Sequence, residues 1–246
     1  MRIGTIEVKN PVFLAPMAGV TDWAFRTVCA ELGAGVTVTE MVSSRALVYR
    51  DQKSAKLLRK SPGSVCGAQI FGNDPDTMAE GARLALEISG CDFLDINMGC
   101  PMPKVANNGD GCGLMRTPEL AGKIVEAVVK AVDVPVTVKC RLGYETPDEF
   151  ERILPVIAAH TPDRVCIHAR TVREGYRSPV HPEWVKWAVE ALDCPVVANG
   201  NIVDAATADA WVRLARPAGL MIGRAALRNP WIFSQLHALS LIHISE

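Results

Sequence analysis

Long apolar runs are missing from this sequence: none reaches the roughly 18 consecutive residues that a membrane-crossing helix needs. The opening residues, MRIGTIEVKNP, hold no apolar core of a signal peptide, so the chain is expected to be soluble, not exported and cytoplasmic. A strong charge of one sign is missing too. With 26 basic and 27 acidic side chains the formal charge is -1, without the basic excess of a dedicated nucleic-acid-binding domain, so any polyanionic partner must be held by a local patch. Eight cysteines, at positions 29, 66, 91, 100, 112, 140, 166 and 194, never form CxxC. That argues against a metal site and, in a chain this apolar, against disulfides. GxGxxG after a first strand and GxxxxGK[ST] are both absent, which removes the usual Rossmann and P-loop signatures.

What is present is a regular alternation. Strand-length apolar runs fall at 12–15, 36–41, 67–71, 93–97, 136–140, 164–169, 196–199 and 219–222. Between them lie amphipathic helical segments at 22–32, 76–89, 118–132, 147–160, 183–192 and 205–215. Apolar strands separated by helices imply a parallel α/β sheet covered on its faces. Eight repeats in 246 residues fit a closed (β/α)8 TIM barrel, a fold of about 250 residues, better than the alternative of an open doubly wound sheet. Residues 2–9 alternate polar and apolar and are expected to form a β-hairpin that closes the bottom of the barrel.

In such a barrel the loops after the strands build the active site. Those strand ends carry Pro16, Met17, Ala18, Gln69, Asn97, Cys100, Lys139, Arg141, His168, Arg170, Asn199, Gly200, Asn201, Gly223 and Arg224. The glycines after the seventh and eighth strands, with Asn201 and Arg224, are expected to hold a phosphate, because exposed backbone N–H groups and a following helix end favour anions there. Lys139 ends an apolar strand and needs a nearby anion, which a structural salt bridge could also supply. A flexible thioether at Met17 and a two-way hydrogen-bonding amide at Gln69 suit a flat heterocycle, so a phosphorylated aromatic cofactor is expected. Cys100, between Gly99 and Pro101, is presented at the barrel mouth as either a nucleophile or a proton donor. The 50–60 stretch, with Arg50, Lys53, Lys56, Arg59 and Lys60 against Asp51, is either one side of a basic mouth that draws phosphate-rich polymers or a solvated helix face.

The segments LAPMAGVTD (14–22), TEMV (39–42), DINMGCP (95–101), HART (168–171) and NGNI (199–202) together resemble the bacterial tRNA-dihydrouridine synthase family, in particular its B-type branch. The resemblance runs from Ile3 to Phe233. It implies an FMN-binding TIM barrel in which NADPH reduces the flavin, and the flavin N5 passes a hydride to C6 of a uridine in tRNA. Cys100 matches the proton donor to C5. Pro16, Met17, Ala18 and Gln69 match the flavin-ring contacts and Lys139 the N1–C2 edge, while His168, Asn199, Gly200, Asn201, Gly223 and Arg224 match the lower ring and phosphate. Asn97, Arg141 and Arg170 match substrate contacts. The other readings are an FMN barrel acting on a free pyrimidine, similar to dihydroorotate dehydrogenase, and an inactive fragment that binds FMN or RNA. Residues 1–235 are expected to be the catalytic domain of a monomer. Residues 236–246 stand where the family continues into a C-terminal helical domain, and 240–246 are expected to be non-native.

Overall fold

The computed structural model describes residues 1–243. A hairpin of β1 (Arg2–Ile3) and β2 (Ile6–Glu7) opens the chain. The remaining strands are β3 (Val12–Leu14), β4 (Val36–Val38), β5 (Val42–Ser43), β6 (Val65–Phe71), β7 (Phe93–Met98), β8 (Val136–Arg141), β9 (Arg164–His168), β10 (Val196–Asn199) and β11 (Gly219–Ile222). They pair in parallel, in the order β4-β3-β11-β10-β9-β8-β7-β6-β5, and β4 also pairs with β6. That pairing closes an eight-stranded ring with β5 as a short extra ladder on β6. The chain is therefore a TIM barrel and not an open sheet. Ile3 and Val8 pack with Phe13, Phe93, Cys166 and Val197 in one apolar cluster, so the hairpin covers the end where the strands begin.

Helices α1 (Trp23–Glu31), α2 (Ser44–Val48), α3 (Gln52–Leu57), α4 (Pro75–Ser89), α5 (Pro103–Ala106), α6 (Pro118–Ala131), α7 (Phe150–Ala158), α8 (Pro182–Ala191), α9 (Ala205–Ala215), α10 (Ala225–Arg228) and α11 (Ile232–His243) fill the connections. Local chemistry sets several boundaries. Asp74 accepts from the Thr77 N–H at 2.8 Å, Pro75 opens α4, and Gly90 in the left-handed region (φ 61°) closes it. Asp204 and Thr207 form a reciprocal capping box at the start of α9. The boundary expected near residue 236 falls inside α11, and residues 244–246 of the expected non-native tail lie outside the described residues. Among the described residues no helix is long and apolar enough to cross a membrane.

Two expected elements are different in the structure. The run expected as one strand over 36–41 leaves the ladder at Val38, where the Thr39 hydroxyl accepts from Gln69 N–H (3.0 Å) and donates to Glu40 O (3.0 Å). Glu40 and Met41 are thereby turned toward the open end of the barrel. The helix expected over 147–160 begins as a 3-10 turn at Pro147–Glu149 and becomes α-helical only from Phe150. Glu149 is occupied there in accepting the backbone N–H groups of Tyr144 and Glu145.

The barrel interior is not wholly apolar. Arg164 on β9 is fully buried and lies 4.9 Å from the Phe13 ring centre and 5.4 Å from that of Phe93. Its Nη2 donates to Asp95 Oδ1 on β7 at 2.9 Å, and Thr137 on β8 donates to the same oxygen. Gly67 makes room for this layer, since a Cβ there would come within 2.3 Å of the Phe93 ring. Removing one partner of a buried ion pair leaves an uncompensated charge, at a cost of about 3–5 kcal/mol. Asp95→Leu is expected to lose about that much stability in urea denaturation, and Asp95→Leu/Arg164→Met is expected to recover part of it, because no bare charge remains. A double variant no more stable than the single one would show that charge burial is not the cause.

Candidate active site

The Asp95 network extends upward to the open end of the barrel. Asp95 Oδ2 accepts from Gln69 Nε2 at 2.7 Å, and Gln69 Oε1 accepts from Asn97 Nδ2 at 2.9 Å. Asn97 Oδ1 in turn accepts the backbone N–H groups of Gly99 (3.2 Å) and Cys100 (3.0 Å). From the other side Arg141 Nε donates to Gly99 O at 3.0 Å, and Cys112 N–H donates to Cys100 O at 3.2 Å. The Cys100 loop is thus held on three sides. Cys112 is fully buried, and burial raises its thiol to about 11.

Above this loop lies a cavity of about 800 Å³, within the size class of small-molecule and cofactor sites. Of the residues expected from the strand ends, Pro16, Met17, Ala18, Gln69, Asn97, Cys100, Lys139, Arg141, His168, Asn199, Gly200, Asn201, Gly223 and Arg224 all line it. Arg170 does not. It is fully buried beside the cavity, donates from Nε to Ser178 O at 2.6 Å, and leaves both terminal nitrogens without a hydrogen-bond partner among the described residues.

The lining contains Lys139, Arg141, Arg224 and Arg228 and not one aspartate or glutamate. Lys139 Nζ donates to the Asn199 side-chain oxygen at 3.3 Å, and no carboxylate among the described residues pairs with it, so a structural salt bridge does not account for it. The unbalanced charge is felt by His168. Burial first, then Arg141, Lys139, Arg170 and Arg224, pull its pKa down to about 2, so the ring is neutral at pH 7; among the described residues its buried Nδ1 has no hydrogen-bond partner. Burial pushes the Cys100 thiol above its ordinary value, against a smaller opposing pull from Arg141 and Lys139. The cavity is therefore poised to receive an anion, next to a thiol that keeps its proton.

Backbone conformation supplies further donors. Gly200 (φ 131°) and Asn201 (φ 50°) lie in the positive-φ region just past β10, where a Cβ at Gly200 would come within 2.9 Å of Val180. At Gly223 an added Cβ would lie in ordinary contact with Ala15 Cβ (3.8 Å) and Met17 Sδ (3.9 Å), on the wall of the cavity.

Met41, the last residue of the run expected as strand over 36–41, lines the cavity, as do Arg228 and Tyr176, which the sequence reading did not single out. Tyr176 sits in the loop after β9, with its ring edge toward His168 (5.8 Å between centroids) and the guanidinium of Arg224 4.5 Å from its centre. Its loop position at the functional end was the one available signal. The basic 50–60 stretch is partly committed: Lys60 pairs with Asp92 at 2.6 Å, Arg59 lies over Trp23, and Asp51 caps α3. Arg173 is likewise paired with Glu145.

Comparison with known proteins agrees with this architecture. The family model described as dihydrouridine synthase matches residues 13–243. A probable tRNA-dihydrouridine synthase of Rickettsia prowazekii is 38% identical over 240 residues, covering 96% of this chain and 73% of the relative. A tRNA-dihydrouridine synthase B of Proteus vulgaris is 39% identical over 239 residues, with 96% and 73% covered. Among solved structures, a 2-naphthoyl-CoA reductase complex superposes with a TM-score of 0.74 at 11% identity, covering 97% of this chain and 51% of that one. This last likeness concerns the fold alone. With the family model spanning almost the whole chain and relatives near 38% identity, the chain is an enzyme of the dihydrouridine synthase family.

Proposed function

We propose that the chain reduces the C5–C6 double bond of a uridine in tRNA to 5,6-dihydrouridine, with FMN bound in the barrel mouth and NADPH as the reductant, and that residues 1–235 carry this activity. The observation that carries the reading is the cavity lined by four cations and no acid, with a protonated thiol at its wall. Such a charge balance favours an anionic, phosphorylated ligand. FMN fits the residues present: the backbone of Gly200, Asn201 and Gly223 with Arg224 for the phosphate, the Pro16–Met17–Ala18 turn for the ring, and Lys139 for the ring edge that carries negative charge when reduced. When bound, FMN supplies the hydride that reaches uracil C6, and NADPH restores it.

The chain's own residues do the remaining work. Cys100 gives its proton to C5 as charge develops there, and the raised thiol pKa keeps that proton in place at neutral pH. Asn97 holds the Cys100 loop through its side-chain oxygen, while Arg141 fixes Gly99 through Nε and the Thr171 and Gly175 carbonyls through Nη1 and brings its positive charge to the substrate side of the cavity. Neutral His168 donates or accepts a hydrogen bond without adding to the positive charge. The uridine must leave its stack to enter the cavity, as bases do in other enzymes that modify them.

Three outcomes test this reading. Cys100→Ala is expected to slow uridine reduction by about 10²–10⁴-fold, the usual contribution of a general acid, while NADPH still bleaches the flavin at a near-normal rate. Equal loss of both half-reactions would contradict the role. In the unmodified enzyme the donor is lost only when the thiol ionises, so the uridine half-reaction should hold through neutral pH. It should decline only above the ordinary thiol value of 9.0; a decline starting near pH 7 would argue against a raised thiol. Lys139→Met removes a charged donor worth about 1.5–3 kcal/mol, so the Kd for FMN should rise about 10- to 150-fold in a fluorescence titration. An unchanged Kd would take Lys139 out of the flavin site.

A further inference from the structure

Beside the main cavity, and outside every contact assigned above, lies a second recess of about 570 Å³ lined by Asp22, Trp23, Ala24, Glu40, Lys56, Leu57 and Arg59. The two share a wall. Met17, Ala18 and Met41 face the first, whereas Asp22, Trp23 and Glu40 face the second, and Gly19 N–H donates to Glu40 Oε1 at 2.5 Å across the partition. The two recesses are lined by adjacent residues of the same two segments, 17–23 and 40–41.

The recess is a built platform. The Arg59 guanidinium lies 3.8 Å from the Trp23 ring centre. The indole is fixed by its Nε1 donating to Lys60 O at 3.0 Å, and buried Arg26 donates to Arg59 O from behind. Arg59 itself is exposed, so one face of its guanidinium rests on the indole and the other is left to solvent. A flat cation held in one orientation suits the π-face of a nucleobase. The lining adds buried Glu40, whose Oε1 holds Gly19 N–H, and exposed Asp22, whose Oδ1 caps α1; both disfavour phosphate there and keep a second oxygen that can accept from base N–H groups. Lys56 at the outer side is placed for the backbone phosphate.

We infer that the Trp23–Arg59 recess is a second nucleotide subsite, in which an unstacked base neighbouring the target uridine stacks on Arg59 while the uridine enters the main cavity. This rests on tRNA being the substrate. It separates the recess from a general basic rim, because stacking needs the planar guanidinium and a charge alone does not suffice.

The test uses the FMN-loaded full chain and an unmodified tRNA transcript, with Kd by anisotropy and KM and kcat for dihydrouridine formation. Arg59→Ala and Arg59→Lys are both expected to raise Kd and KM about tenfold, the order of one lost base stack, with kcat changed little. Lys53→Gln, which removes a charge from the same segment outside the recess, is expected to have a smaller effect. Wild-type affinity in Arg59→Lys would overturn stacking and reduce the site to a charge, and wild-type affinity in Arg59→Ala would overturn the subsite altogether. Lowered affinity in the Arg59 variants of a chain that forms no dihydrouridine would support the subsite and sink the assigned reaction. Normal turnover with unaltered KM in Arg59→Ala would sink the subsite and leave the reaction standing.

Discussion

A charge buried inside a barrel has to be answered within the barrel, and the Arg164–Asp95 pair is that constraint here. Neither side chain has any exposure, and in so dry a layer an unmatched ion costs several kcal/mol. Asp95 pairs with Nη2 of Arg164 through one oxygen, while Nε and Nη1 of Arg164 have no hydrogen-bond partner among the described residues, and it holds Gln69 with the other; Gln69 then holds Asn97, and Asn97 holds the backbone of Cys100. A requirement set at the floor of the molecule thereby determines where a thiol sits at its mouth. Because each link is hydrogen-bonded and all but the last are buried, the loop has little freedom to drift, which a proton donor needs if it is to meet a fixed carbon.

Above the thiol the charge balance is reversed. The floor pair is neutral overall, whereas the cavity gathers cations with no internal answer. Among the described residues Lys139 is met by the neutral Asn199 amide and by no carboxylate, and His168 stays neutral because burial, reinforced by the cations around it, holds its pKa down. Such a site costs stability while empty and recovers it when an anion binds, the usual trade between stability and function. The glycines of the last two strand ends line it with backbone, and at Gly200 the positive φ and the 2.9 Å approach of Val180 leave no room for a side chain.

Much of this was legible in the residues. Eight apolar runs and the helices between them follow from local periodicity, and helices α1, α4, α6, α8 and α9 lie within a residue of their expected bounds. Knowing that barrel chemistry sits at strand ends was enough to choose the cavity residues, with Arg170 as the one that turned away from the lining. The misplaced boundaries have local causes that composition hides: a threonine that bonds sideways to Gln69 where the 36–41 run leaves its ladder, and a glutamate that holds the turn before α7. Arg164 and Asp95 were passed over because each lies within a strand whose other residues are mainly apolar.

The sequence by itself determined the fold class, the order of its elements and which end of the barrel carries chemistry, because alternation and turn chemistry act between neighbours in the chain. Only the tertiary structure decided the rest. That Lys139, Arg141, Arg224 and Arg228 share one space without an acid, that Tyr176 lies over it, and that Trp23 is paved by Arg59 from another loop are facts about distance across the barrel. Electrostatic and stacking energies depend on that distance and on burial, and neither is a property of separation along the chain.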